Sequence, residues 1–182
     1  MLQATKKLNL SVQTLKAVDV FSIIGASFFI ALCAQVEIPL FFTPVPLTLQ
    51  TLSVLLVGAT LGSKKGALAL GAYFIEALCG WPILAGGAAG FTALLGAHGG
   101  YLLGFAVQAY LTGLYFENSK HDRSYGKTLF ALISICMLQL IMGSLWLAAY
   151  VGWKNAFVMG MYPFIPGEIF KSLAVVSYFR SK

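Results

Sequence analysis

Charge is what this chain has least of. Lys and Arg number 12, Asp and Glu 6, and His 2 among 182 residues, of which 59% are hydrophobic. The mean hydropathy of +0.84 belongs to a chain that cannot hide its apolar surface in one soluble core of this size. Composition therefore excludes an ordinary soluble domain, and no nucleic-acid partner is expected. Cysteine is scarce as well: Cys33, Cys79 and Cys136 sit in separate apolar segments without a CxxC pair or a His at metal spacing. They read as small hydrophobes, and neither a metal nor a cofactor is expected. Catalytic motifs are missing too, with no HExxH and no GxSxG, and the two histidines, His98 and His121, fall on opposite sides of the membrane assigned below. A membrane enzyme is therefore disfavoured. Nor is there a GxxxxGK[ST] phosphate loop, because GATLGSKK has the wrong spacing, so the chain carries no motor of its own.

What is present is apolar length. At about 20 residues per span, the sequence gives six candidate transmembrane helices, near 18–36, 47–61, 67–79, 101–116, 128–150 and 167–179. The expected fold is an all-α membrane protein, one domain over 1–182 with a short cytoplasmic N-terminal segment, 1–17. Lys6, Lys7 and Lys16 before an apolar run mimic a signal peptide, but apolar segments continue through the whole chain, so this run reads as the first span. With six spans, one side collects Lys6, Lys7, Lys16, Lys64, Lys65, Lys120, Arg123, Lys127, Arg180 and Lys182, and the other keeps Lys154 and Lys171. Positive charge stays inside, so both termini are expected in the cytoplasm.

The unusual loops then gather outside. TPVPLTLQ (43–50) combines two prolines with Thr43, Thr48 and Gln50. The 21-residue stretch 80–100 contains Gly86, Gly87 and Gly90 and has no charge besides that of His98, and PFIPGEIFK (163–171) sets Glu168 and Lys171 three apart. Proline holds the first loop extended. Glycine permits a tight backbone path in the second, which is expected to fold back onto the membrane domain. Trp81, Phe91 and Tyr101 read as cavity walls or interfacial anchors. On a helix Glu168 and Lys171 share a face. They form either a structural ion pair or a receptor for a neutral ligand with both a carbonyl and N–H groups, the Lys donating and the carboxylate accepting. Glu76 reads as an interface marker, and Gln108 and Gln139 as interhelical hydrogen bonds.

Four stretches in order, TPVPLTLQTLSVLLVGATLG, YFIEALCGWPILAGGAAG, GGYLLGF and PFIPGEIFK, resemble the BioY family, the biotin-specific substrate-binding components (S components) of energy-coupling factor (ECF) transporters, over residues 37–175. The resemblance implies six helices with extracytoplasmic loops 1 and 3 folding over a ligand pocket. Glu168 and Lys171, at the family's P-G-D-x-x-K motif, would hold the ureido ring; Thr43, Gln50, Gly87 and Tyr101 would complete the site. Glu168 stands where the family more often has Asp, and Ala88 and Ala89 stand where it often has a polar residue. It also implies a membrane scaffold (T component) and two ABC-type ATPases as partners, this subunit toppling to carry its ligand inward. Small residues at four-residue spacing in the first span, Ser22/Ala26 and Ser27/Ala31, are the candidate docking face for that scaffold. A stand-alone carrier is the rival reading, although paired, repeated halves are not evident.

Overall fold

In the computed structural model, residues 16–119 and 124–180 are described. Lys6, Lys7, Lys120, His121, Arg123 and Lys182, counted above, lie outside them. Among the described residues six helices have twelve or more residues: α1 (Ala17–Gln35), α2 (Gln50–Leu61), α3 (Ser63–Leu78), α5 (Gly99–Asn118), α6 (Tyr125–Val151) and α8 (Ile165–Arg180). Two short helices, α4 (Gly90–Leu95) and α7 (Trp153–Gly160), lie in the connections. By length and composition, α1 and α6 are each long and apolar enough to cross a membrane. At 1.5 Å per residue, the 12-residue α2 rises only about 18 Å, well short of a bilayer core of about 30 Å.

The polarity of the fold is inverted relative to a water-soluble protein. Phe21, Leu32, Ile75, Phe130 and Phe170 are each more than 60% exposed, while Gln50, Gln108, Gln139, Glu168 and Ser172 are buried. Large apolar side chains facing outward, with polar ones turned inside, are what lipid as solvent demands. α5 is the central helix, packed against α2, α3 and α6.

Several contacts define one end of the bundle. Lys65 pairs with Asp19, joining the start of α3 to the start of α1. Arg180, at the end of α8, lies 5.5 Å over the ring of Tyr125, at the start of α6. Glu117, near the end of α5, accepts from the Ser63 amide and hydroxyl, each at 2.8 Å. That last contact moves an expected boundary: GSKKG (62–66), left between the second and third expected spans, is largely helix, because a carboxylate caps the first turn of α3 immediately after Gly62 turns the chain at φ +85°. Removing the cap costs about 0.5–2 kcal/mol. Glu117→Ala is therefore expected to lower the thermal midpoint of the purified protein, and a wild-type melting profile would mean the α2–α3 turn is held by other contacts.

The opposite end holds the irregular segments. A two-residue antiparallel pair, β1 (Glu37–Ile38) with β2 (Leu47–Thr48), closes the foot of the proline loop, with Glu37 opposite Thr48 and Ile38 opposite Leu47. This corrects the expected start of the second span, because Leu47 and Thr48 belong to the ladder and the helix begins at Gln50. The long uncharged loop is pinned by donors from the helices. Gln35 donates to the carbonyls of Ile83 and Leu84, Trp146 to that of Gly96 (3.0 Å), and Tyr150 to that of Leu95 (2.6 Å). These backbone carbonyls of the loop thus find partners on the helices.

Candidate functional site

At this irregular end lies a cavity enclosing about 730 Å³ of empty space, its open mouth included. Its polar wall comes from the first turns of α2 and α8. Gln50, Thr51, Glu168 and Lys171 line it, with Gln139 from α6 and Thr48 from β2. Its apolar wall is Val45, Leu84, Leu102, Phe105, Leu140 and Phe164. A few convergent polar groups in an otherwise apolar hollow are the general form of a small-molecule site.

Glu168 and Lys171 face each other on α8 with Nζ 2.8 Å from Oε1, and their side chains are only 2% and 10% exposed. Thr51 completes a triangle, its hydroxyl donating to Glu168 Oε1 at 2.8 Å and accepting from Lys171 Nζ. Burial of this ion pair is tolerable because the lysine and the threonine both donate to the carboxylate. One of its atoms remains open: Glu168 Oε2 is buried and has no hydrogen-bond partner. The lysine has a third N–H to give beyond those directed at Thr51 and Glu168. The constellation therefore leaves one donor and one acceptor uncommitted beside an apolar hollow.

Gln50 is 3% exposed and donates to the Tyr73 hydroxyl at 2.8 Å. Tyr73 in turn donates to the Ile83 carbonyl at 3.0 Å, so the floor of the cavity and the long loop share one hydrogen-bonded chain. Tyr101 presents its ring to the cavity, but its hydroxyl donates to the Gly160 carbonyl at 2.7 Å. His98 lines the mouth, and its Nε2 is within hydrogen-bond distance of the Pro44 carbonyl, which ties the proline loop to the long loop.

Thr43 and Gly87 are placed outside the cavity lining. The Thr43 hydroxyl accepts from the Val45 amide at 3.2 Å and so shapes its own loop. Gly87, at φ +69°, ends the 3-10 turn Ala85–Gly87, whose Ala85 reaches the cavity. Trp81 lies beside Phe28 with ring centroids 5.9 Å apart, and Phe91 borders a different hollow. Glu76 accepts from Ser27 at 2.7 Å. That contact corrects half of the expected docking face: Ser27 and Ala31 are buried inside this chain, Ser27 bonded to α3, so a partner cannot reach them. Ser22 and Ala26 instead line an open groove with Leu56, Val57 and Tyr178.

Sequence reasoning missed Thr51 and Tyr73 as parts of the site. Thr51 directly follows the proline-loop motif, in the first turn of a helix whose neighbour Gln50 was already singled out. Tyr73 carried no signal, because a tyrosine inside an apolar run is more often an anchor.

The family model described as the BioY family matches residues 5–181. A probable biotin transporter BioY from Pyrococcus horikoshii is 36% identical over 151 residues, covering 82% of this chain and 88% of that protein. The biotin transporter BioY of Rhodobacter capsulatus is 37% identical over 161 residues, covering 80% and 82%. Among solved structures, the S component for biotin from an ECF-type ABC transporter superposes with a TM-score of 0.78 at 25% identity, covering 91% of this chain and 92% of that one. These relatives are transporters and not enzymes, and this membrane protein, matched by the family model over residues 5–181, belongs to the BioY family.

Proposed function

We propose that the chain captures biotin in this cavity and delivers it across the membrane as the S component of an ECF-type importer. The observation that carries the reading is the buried Lys171–Glu168–Thr51 triangle with its open carboxylate oxygen. A cyclic urea offers the complementary groups, a carbonyl for the lysine and an N–H for the carboxylate. The apolar wall of Leu102, Phe105, Leu140 and Phe164 suits the sulfur-containing ring and aliphatic tail. In this reading the six long helices build the membrane domain, the short α2 being continued by the ordered proline loop before it, and the cavity opens to the extracytoplasmic side, under the proline loop and the long loop. Both termini are cytoplasmic, where Lys64, Lys65 and Arg180 gather at the opposite end of the bundle. The energy comes from partners, a T component and two ABC-type ATPases.

Isothermal titration of the purified protein with biotin tests the ligand, and one-to-one binding is the expected result. No heat from folded protein would refute it. Uptake by vesicles containing this chain alone, compared with vesicles that also hold the scaffold and ATPases, separates the importer from a stand-alone carrier; uptake is expected only in the second. For docking, the open groove at Ser22 and Ala26 is the remaining surface. Ser22→Leu with Ala26→Leu is expected to cut copurification with the T component severalfold while leaving biotin affinity unchanged, and undiminished copurification would place the docking face elsewhere.

A further inference from the structure

Gln139 is 2% exposed, lines the cavity, and its Oε1 is buried without a hydrogen-bond partner. Glu168 Oε2 is the other buried, unpartnered acceptor in the same lining. The two come from neighbouring helices, Gln139 from α6 and Glu168 from α8, which pack against each other. An unpaired polar atom inside an apolar hollow is costly unless something bound there satisfies it. Gln139 is also held in place. A Cβ added at Gly104 of α5 would come within 3.0 Å of Gln139 Cγ, so α5 approaches as closely as a glycine allows and confines the side chain.

The chemistry of the ligand gives these two acceptors a joint purpose. In a five-membered cyclic urea the two N–H bonds diverge, one on each flank of the carbonyl, so one carboxylate cannot accept both. The geometry points to Gln139 as the second ureido-binding residue: Lys171 donates to the carbonyl, Glu168 Oε2 accepts one N–H, and Gln139 Oε1 accepts the other. This inference rests on the biotin reading above and adds to it a residue that discriminates between ligands. An amide at position 139 is thus part of the recognition of the ring and not only a contact between helices.

The test is titration of wild type, Gln139→Met and Gln139→Glu with biotin and with its two mono-N-methyl derivatives, each protein being checked for monodispersity and thermal midpoint. Wild type is expected to bind biotin and reject both N-methyl isomers. Gln139→Met, which removes the acceptor at nearly constant shape, is expected to bind biotin about 10- to 100-fold more weakly. It should also lose its discrimination against one isomer while still rejecting the other, whereas Gln139→Glu, which keeps an acceptor, should discriminate against both. Biotin binding by Gln139→Met within threefold of wild type, or unchanged rejection of both isomers, overturns the assignment. Should neither variant fold, wild type alone still decides it, because acceptance of either N-methyl isomer as readily as biotin would leave one of the two N–H groups without an acceptor, against the joint assignment. Wild type that binds no biotin at all would bring down the ligand reading itself, a different failure.

Discussion

Lys171→Ala is expected to weaken biotin binding by about 100- to 1,000-fold in isothermal titration, the largest loss from any single change in the cavity. Two effects add. The variant removes the proposed donor to the ligand carbonyl, and it leaves Glu168, 2% exposed, without its countercharge. Breaking a buried pair by deleting one partner costs about 3–5 kcal/mol, and each 1.4 kcal/mol is tenfold. The unliganded protein should therefore also melt at a lower temperature. A double variant, Lys171→Met with Glu168→Met, separates the two effects. Replacing both members with apolar groups is often neutral or stabilising, so melting should recover toward wild type while binding stays lost. Biotin affinity that survived in the double variant would reduce the pair to a device for seating α8 in the membrane.

Gly143→Ala is the second large effect, and it acts where no ligand touches. A Cβ at this position of α6 would lie 2.1 Å from the ring of Tyr101, whose hydroxyl is already engaged by Gly160. The ring cannot slide along its axis without losing that hydrogen bond, and it forms part of the cavity wall. Overpacking typically costs about 1–3 kcal/mol and occasionally more. We place this change at the upper end, because the obstacle is a rigid ring fixed at both ends. The expected outcome is a lower thermal midpoint together with weaker biotin binding. Gly25→Ala supplies the control, since a Cβ there meets nothing within 4 Å and should be neutral or stabilising by about 0.5–1 kcal/mol. If Gly143→Ala behaves like that control, α5 and α6 are less tightly seated than described.

Apolar runs made the long helices legible, because a bilayer imposes a length that composition alone reveals. Their ends were less so. Leu47 and Thr48 look as helical as their neighbours and are diverted by pairing with Glu37 and Ile38, a contact across eight intervening residues. Ser63 begins a helix because Glu117, 54 residues away, caps it. Within the site, Glu168 and Lys171 could be read from local spacing, since a helix puts positions three apart on one face. Thr51, Tyr73 and Gln139 could not, because their roles depend on which helix lies opposite. Ser27 illustrates the reverse error: its spacing to Ala31 is that of a docking motif, yet the partner it meets is Glu76 of its own chain.

Phe170 is 72% exposed and Lys171, the next residue of α8, has a side chain only 10% exposed. On the proposed reading, the turn that would grip the vitamin is also a piece of the outer hull, and the width of a single helix, about 10 Å, would separate the ligand from acyl chains. It follows that tension or thickness changes in the surrounding leaflet are expected to bear on that same turn. The bilayer is in this sense a component of the binding site, and affinity measured in a detergent micelle and in a native lipid mixture are two properties of the protein, not one.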